Sequence, residues 1–214
     1  MQNSYDHIAD KWHAKGRAQN YVDRVLDYVD LVLAGLPAGS RVLDLGCGTG
    51  NPIAKHIVQS GFQLVGVDQS SKMLEIAQHE VPGGEFIHAD MVEVEFDKEF
   101  AAIVAWDSAF HVERKHHAAL YRKLAHFLVT GGRLLLSVGG SGSEPTSDGS
   151  SIEGITSEMF GHTFFYSAYD PKIARKLLED AGFEIELWEI DDPSSRGHIA
   201  VIVRKSSQAG AARR

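Results

Sequence analysis

A glycine-rich turn directly after a short apolar segment constrains this chain more than any other feature. Residues 41–51 read Arg-Val-Leu-Asp-Leu-Gly-Cys-Gly-Thr-Gly-Asn, so a segment typical of a buried parallel strand leads into glycines spaced G-x-G-x-G. Glycine permits a tight turn and close approach of the backbone to a ligand. A helix predicted from about Pro52 would begin with free N–H groups. The pattern predicts a nucleotide-type site at the end of a parallel strand.

The spacing of the glycines narrows the choice of ligand. Dinucleotide-binding folds use G-x-G-x-x-G, whereas Asn51 stands where the third glycine of that pattern would be. A second predicted strand, residues 63–67, ends on Asp68, and a carboxylate there can accept both hydroxyls of a ribose. We therefore expect a ligand that carries adenosine without a pyrophosphate.

Apolar runs alternate with helical patterns along most of the chain. The predicted strands lie at about 41–45, 63–67, 84–88, 101–106, 133–138, 183–190 and 198–204. The predicted helices include 70–80 with a serine cap, 116–128 and 171–181, and Thr130-Gly131-Gly132 predicts a turn into the fifth strand. Alternation of this kind favours an α/β fold with a doubly wound parallel sheet.

The length of 214 residues fits a single domain over residues 1–205. Residues 1–36 have apolar side chains at helical spacing and predict an N-terminal helical cap. Residues 139–157 are rich in Gly, Ser and acidic residues and predict a flexible loop, which could close over a substrate or be a plain insertion. Residues 206–214 predict a disordered tail.

Composition limits the partners that we expect. The net charge of −8 argues against nucleic acid, because a nucleic-acid surface is normally basic. No apolar stretch reaches the roughly 20 residues of a membrane helix, and the N-terminus lacks the features of a secretory signal. We expect a cytoplasmic protein that does not enter a membrane. The composition does not predict an oligomeric state.

Four motifs in order resemble those of the class I S-adenosylmethionine-dependent methyltransferases. They are Leu43-Asp44-Leu45-Gly46-Cys47-Gly48-Thr49-Gly50, Val65-Gly66-Val67-Asp68, His88-Ala89-Asp90-Met91 and Trp106-Asp107-Ser108-Ala109-Phe110-His111-Val112. The resemblance implies a Rossmann-like sheet of about seven strands, mostly parallel with an antiparallel last strand. It also implies S-adenosyl-L-methionine as cofactor and S-adenosyl-L-homocysteine as product.

The resemblance also assigns cofactor contacts. It places Gly46 and Gly48 at the methionine end, Asp68 at the ribose, and Asp90 with Met91 at the adenine. The full predicted set is Tyr5, Asp44, Gly46, Cys47, Gly48, Asp68, Gln69, Met73, Asp90, Met91 and Asp107. Plain alternatives exist: Tyr5 could serve helix packing, Asp107 could cap the next turn, and Cys47 could be a small packed residue or a nucleophile.

His111 and His162 are the candidate general bases, because imidazole titrates near neutral pH. Tyr166, one helical turn beyond His162, could orient a substrate through its hydroxyl. Aromatic residues could wall a pocket or belong to the core; these are Trp106, Phe160, Phe164 and Phe165. His198 opens the last predicted strand, and we expect a structural role for it.

The first functional hypothesis is methyl transfer to an O, N or S atom of a small molecule, since the chain is compact and acidic. Two alternatives remain: a non-catalytic protein that binds S-adenosylmethionine, or an enzyme acting on RNA or protein. The amino-methylating signature Asn/Asp-Pro-Pro-Tyr/Phe is replaced here by Asp107-Ser108-Ala109-Phe110, which weakens the last alternative. We expect no metal site, because no H-E-x-x-H or paired-cysteine spacing is present.

Overall fold

The computed structural model describes residues 3–139, 155–192 and 198–207. In chain order the strands are β1 Arg41–Leu45, β2 Gln63–Asp68, β3 Glu85–His88, β4 Phe100–Ala105, β5 Leu128–Gly139, β6 Ile155–Met159, β7 His162–Tyr166, β8 Phe183–Asp192 and β9 His198–Lys205. The α-helices are α1 Ala9–Lys15, α2 Gln19–Leu33, α3 Ile53–Gln59, α4 Ser71–Glu80, α5 Arg114–Phe127 and α6 Pro171–Asp180, and short 3-10 helices span Ser4–His7 and Ala109–His111.

The main sheet has the predicted doubly wound α/β form. Its seven strands are ordered β3-β2-β1-β4-β5-β9-β8. The pairs from β3 to β5 are parallel, and β9 runs antiparallel between β5 and β8. Because β9 is antiparallel to β5, its first residue, His198, pairs with Gly139 at the end of β5. His198 therefore lies at the carboxyl edge of the parallel strands, where ligands bind in such sheets.

Helices cover both faces of the sheet, which explains why its central strands are continuously apolar. Within β1, Leu43 belongs to the core cluster beneath α5 and α6, whereas Val42 belongs to the cluster beneath α2 and α3. Helix α2 buries Val25, Val29 and Val32 completely, at the spacing of one helical face. The predicted N-terminal helices thus pack directly on the sheet.

The start of β5 differs from the prediction. Helix α5 ends at Phe127 and β5 begins at Leu128, so the segment Thr130-Gly131-Gly132 lies inside a strand and is not a separating turn. Gly131 has a φ of +80°, and the pairing of β5 with β4 shifts register between Phe100 and Ala102. An irregularity within the strand absorbs the residues that the sequence pattern assigned to a turn.

A second small sheet replaces part of the predicted loop. Strands β6 and β7 form an antiparallel hairpin whose two turn residues, Phe160 and Gly161, both have positive φ angles, +53° and +81°. Gly139 belongs to β5 and residues 155–157 to β6, so the predicted loop boundaries of 139–157 were wrong at both ends. Residues 140–154 lie outside the described residues. Tyr166 follows His162 along a strand, so the prediction of a helical turn between them was also wrong.

The end of the chain is described as far as residue 207. The backbone N–H of Ser206 donates to the carbonyl of Gly182, so the predicted disordered tail does not begin at residue 206. Residues 208–214 lie outside the described residues. Across the described ranges, no helix is both long and apolar enough to cross a membrane.

The turn after β1 generates a stability prediction. Gly46 has a φ of +84°, and a Cβ built there would lie 2.3 Å from the Ser108 Cβ. Ser108 cannot easily move, because its hydroxyl donates to the Leu45 carbonyl at 2.7 Å. Gly48 also has a positive φ, +54°, but a Cβ there would meet no atom within 4 Å.

We expect Gly46→Ala to lower the free energy of unfolding by about 2–5 kcal/mol, through left-handed strain plus overpacking. Gly48→Ala should cost only about 1–2 kcal/mol, since it adds the strain alone. Urea unfolding followed by circular dichroism measures both. Equal losses for the two variants would show that the contact with Ser108 does not limit the turn.

Candidate functional site

A cavity of about 360 Å³ opens at the carboxyl edge of the sheet, within the size range of small-molecule sites. It lies where β1, β2 and β4 end, as expected for a ligand site in this kind of sheet. Its lining includes His111 and all the predicted cofactor residues, from Tyr5 to Asp107. Residues far apart in the sequence are therefore brought to one place.

Asp68 connects the two loops that form the floor of the cavity. Its carboxylate accepts hydrogen bonds from the backbone N–H of Gly48 at 2.9 Å and of Ser70 at 2.8 Å. Burial raises the pKa of the Asp68 carboxyl, and the two N–H groups offset part of that shift. A carboxylate has about four acceptor positions, so Asp68 keeps acceptor capacity for a ligand in the cavity.

Asp44, at the end of β1, is the most deeply buried acid of the cavity, with 3% of its surface exposed. Among the described residues, none donates a hydrogen bond to its side chain. Burial, and next the charge of Asp68, raise the pKa of the Asp44 carboxyl to about 8. A buried carboxyl that lacks a donor and borders a cavity is suited to meeting a positively charged ligand group.

The adenine-side residues of the prediction line the same cavity. The Asp90 carboxylate accepts from the Val92 N–H at 2.8 Å and shapes the loop after β3. The Ser70 hydroxyl accepts from the Met73 N–H and caps α4, as predicted. Burial raises the pKa of the Cys47 thiol, which disfavours a reactive thiolate. Cys47 is therefore suited to packing against a ligand rather than to nucleophilic attack.

The N-terminal segment covers one side of the cavity and is held by polar contacts. Asp6 accepts from the Ser70 hydroxyl at 2.6 Å and from the Lys72 N–H at 3.2 Å. On the other side, the Ser4 hydroxyl donates to the carbonyl of Thr163 in the hairpin at 3.1 Å. These contacts place Tyr5, between them in sequence, over the cavity.

Tyr5 and His111 form a hydrogen-bonded pair at the cavity wall. The Tyr5 hydroxyl lies 2.8 Å from His111 Nε2, and His111 Nδ1 lies 2.8 Å from the Phe165 carbonyl oxygen. Since a carbonyl can only accept, Nδ1 carries the proton, and Nε2 of the neutral ring accepts from Tyr5. Burial lowers the pKa of His111 and raises that of Tyr5, so both groups are neutral at physiological pH.

Asp107 occupies a strained position after β4. Its φ is +49°, and its carboxylate accepts from the Tyr21 hydroxyl at 2.7 Å and from His198 Nε2 at 2.9 Å. The alternative of a helix cap does not hold, since the following 3-10 helix has no side-chain cap. Burial favours the protonated form, but the hydrogen bond and charge of His198 outweigh it and lower the pKa of Asp107.

The sequence reasoning missed Arg17, which also lines the cavity. Its guanidinium lies 4.1 Å from the ring centroid of Trp12 and 5.1 Å from that of Tyr21. Within the described residues, no carboxylate comes within ion-pair distance of it. Little in the sequence indicates that Arg17 lies at the site, because it stands between two helical patterns and looks like a solvent-exposed arginine of a loop.

His162 and Tyr166 do not belong to the described lining of the cavity. The His162 ring stacks on His7, with centroids 4.9 Å apart and an interplanar angle of 5°. The Tyr166 ring packs against His111 at 4.8 Å. Of the two candidate bases, the geometry thus favours His111.

The aromatic residues have separate places. Trp106 lines the cavity, Phe164 packs edge-on against Tyr5, and Phe160 lies at the exposed hairpin turn beside Lys15. Phe165 contributes its backbone carbonyl to His111. Within the described ranges, no three His, Cys, Asp or Glu side chains come together as a metal-binding group.

Comparison with known proteins identifies the domain. Residues 42–132 match the family model described as "Methyltransferase domain". An uncharacterized methyltransferase of Alkaliphilus oremlandii is 36% identical over 98 residues, 44% of each chain. A dTDP-3-amino-3,6-dideoxy-alpha-D-glucopyranose N,N-dimethyltransferase of Streptomyces fradiae is 30% identical over 120 residues, 55% of this chain and 47% of that protein. Each match spans less than half of the relative's length.

The fold agrees with solved structures. An S-adenosylmethionine-dependent methyltransferase from Clostridium acetobutylicum superposes with a TM-score of 0.70 at 15% identity, over 96% of this chain and 99% of that one. The likeness extends beyond the matched residues 42–132 to the N-terminal helices and the antiparallel last strand. The chain therefore has the fold of a solved S-adenosylmethionine-dependent methyltransferase, and residues 42–132 within it match a methyltransferase domain.

Proposed function

We propose that the protein binds S-adenosylmethionine in this cavity and transfers its methyl group to an O, N or S atom of a small molecule. The observation that carries the proposal is the meeting of Asp68, the glycine turn and the Tyr5–His111 pair around one cavity. The first two suit an adenosine ligand, and the pair suits removal of a proton from an acceptor.

The residues present fit the cofactor. Asp68 can accept hydrogen bonds from the ribose hydroxyls. Asp44 accepts no hydrogen bond from the described residues, so its side chain suits the ammonium group of the cofactor. Gly46 lines the cavity without a side chain, so its backbone can approach a ligand closely. Arg17 supplies a cation for the methionine carboxylate, and Asp107 is a second acid for the ammonium group.

S-adenosylmethionine, when bound, supplies a methyl group on a positively charged sulfonium. The protein must hold the acceptor in line, exclude water and take up a proton where the acceptor has one to lose. The N-terminal segment contributes to water exclusion, because Asp6 and Ser4 fasten it to the cavity rim and the hairpin.

The Tyr5–His111 pair supplies the proton path. Tyr5 lines the cavity, and its oxygen can accept a hydrogen bond from an acceptor O–H or N–H. As the acceptor gives its proton to Tyr5, the Tyr5 proton passes to His111 Nε2, and the imidazolium so formed keeps its Nδ1 hydrogen bond to the Phe165 carbonyl. His111, which lines the cavity beside Tyr5, therefore acts as the base through the Tyr5 hydroxyl.

Three observations support a small-molecule acceptor. The net charge of −8 does not favour a polyanionic partner, and the Streptomyces fradiae relative is named for an amino-sugar substrate. The N-terminal segment also covers one side of the cavity, held there by Asp6 and Ser4, which suits a compact acceptor better than a polymer.

The raised pKa of Asp44 predicts proton release on cofactor binding. At pH 7 a carboxyl with a pKa of about 8 is mostly protonated, and a nearby cation lowers its pKa. We expect S-adenosylhomocysteine, which carries an ammonium group, to release up to about one proton per molecule bound. Calorimetry at pH 7 in buffers of different ionisation enthalpy measures this number. Asp44→Asn should abolish the release, and unchanged release in that variant would contradict the assignment.

The cofactor assignment is tested by calorimetric titration with S-adenosylmethionine and S-adenosylhomocysteine. Asp68→Ala should weaken binding by about 10- to 100-fold, since hydrogen bonds to a charged group are lost. Asp30→Ala is the matched control, because Asp30 is an exposed acid that pairs with His56 on the surface. Equal affinity of Asp68→Ala and the wild type would overturn the assigned site.

A labelled-methyl screen of small phenols, amines, thiols and carboxylic acids then tests the transfer. Incorporation into one class would identify the acceptor chemistry. Cofactor binding without transfer to any of these classes, or to protein and RNA added separately, would favour the non-catalytic alternative.

The proton path predicts a split between turnover and binding. With the acceptor found in the screen, Tyr5→Phe and His111→Ala should lower kcat by about 100-fold or more, because each removes one member of the relay. His111→Ala should change the affinity for S-adenosylhomocysteine much less than kcat. His162→Ala, which alters a histidine outside the described lining, is the control. A similar fall in kcat for all three variants would contradict the role of Tyr5 and His111 as the proton relay.

A further inference from the structure

His198 is a largely buried titratable residue beside the site, and the proposed mechanism does not use it. It is the first residue of β9, and 12% of its side chain is exposed. Its Nε2 lies 2.9 Å from Asp107 Oδ1, and its Nδ1 lies 3.0 Å from Asp191 Oδ2. Asp191 is at the end of β8 and its side chain is 2% exposed. The ring therefore bridges two carboxylates from different parts of the fold.

The geometry determines the protonation of this ring. A neutral imidazole has a single N–H and could satisfy only one of the two carboxylates; the other would face a nitrogen lone pair. Both nitrogens must donate, so His198 is an imidazolium. Burial opposes this charge, but the hydrogen bonds and charges of Asp107 and Asp191 outweigh it and raise the pKa of His198.

The surrounding charges keep the bridge balanced. From α2, Arg24 Nε lies 2.6 Å from Asp191 Oδ1. The cations Arg24 and His198 therefore alternate with the carboxylates of Asp191 and Asp107. The Tyr21 hydroxyl donates to the second oxygen of Asp107, and the charge of Arg17 also acts on that carboxylate. The His198 and Trp106 rings lie nearly perpendicular to each other, with centroids 5.2 Å apart. Within the described residues, each oxygen of Asp107 thus has one side-chain donor.

We propose that His198 is a positioning residue of the methyltransferase site, which holds the Asp107 carboxylate toward the methionine end of the cavity. The proposal rests on the proposed function, because it gives Asp107 the ammonium group of the cofactor as its ligand. Asp107 sits in a left-handed backbone conformation at φ +49°, which is uncommon for a residue with a side chain. Without the imidazolium, one carboxylate oxygen loses its donor and the side chain is free to turn away.

The experiment compares two ligands that differ only at the methionine end. S-adenosylhomocysteine carries the amino-acid group, whereas 5′-methylthioadenosine carries adenosine and sulfur without it. In His198→Gln the amide can donate to one carboxylate but presents its oxygen to the other. We expect about a tenfold loss of affinity for S-adenosylhomocysteine and less than about a twofold change for methylthioadenosine, by calorimetry.

A second change should rescue the first. In the double variant His198→Gln with Asp191→Asn, the glutamine oxygen can accept from the asparagine amide while its own amide donates to Asp107. We expect the affinity for S-adenosylhomocysteine to return to within about threefold of the wild type. His56→Gln is the matched control, since His56 also pairs with a carboxylate, Asp30, but lies outside the cavity lining.

Unchanged affinity in His198→Gln would overturn the proposal. Equal losses for both ligands, or no recovery in the double variant, would also overturn it, because they indicate packing rather than a directed bridge. If the wild type binds neither ligand, the proposed function itself fails. Nitrogen NMR of the wild-type histidines at pH 7.5 tests the bridge without ligand or variant: two protonated nitrogens on His198 support it, and one contradicts it.

Discussion

The Asp68 carboxylate organises the whole site, because the contacts that build the cavity can be followed outward from it. It joins the glycine turn to the loop before α4 through two backbone N–H groups. In that second loop, the Ser70 hydroxyl donates to Asp6 and so fastens the N-terminal segment. That segment places the Tyr5 hydroxyl within hydrogen-bond distance of His111 Nε2. His111 Nδ1 in turn donates to the Phe165 carbonyl of the hairpin. A change at Asp68 would therefore reach both the floor and the cover of the cavity.

The main sheet could be predicted because its strands are buried on both faces and read as continuous apolar runs bounded by turn residues. The hairpin β6–β7 could not, since most of its residues are half-buried or exposed and carry no such run. Its two-residue turn, Phe160-Gly161, depends on a positive φ at a phenylalanine, which no turn preference indicates. The early start of β5 was missed for a similar reason, because a glycine pair looks the same in a bulge and in a turn.

The residues predicted to contact the cofactor could be brought to one cavity from the sequence, because most of them follow strand ends within recognisable motifs. The other half depends on pairings across long sequence distances. Tyr5 meets His111 and Asp107 meets His198 only after the N-terminal helices and the reversed last strand are in place. A histidine at the start of a predicted final strand looks structural, but the antiparallel direction of β9 carries it to the ligand edge. The resemblance had already implied an antiparallel last strand, but only the pairing of β9 with β5 brings out the contact between His198 and Asp107.

The acids around the cavity explain what kind of ligand the site can accept. Asp68 and Asp107 have donors from the protein, whereas Asp44 has none among the described residues and holds its proton through burial. A ligand phosphate would meet these carboxylates with like charge and would cost free energy. A sulfonium or ammonium group would instead let Asp44 ionise against a positive partner. The acids around the cavity therefore favour a cationic ligand over a pyrophosphate, which supports the proposed cofactor, and the glycine turn alone would not make that distinction.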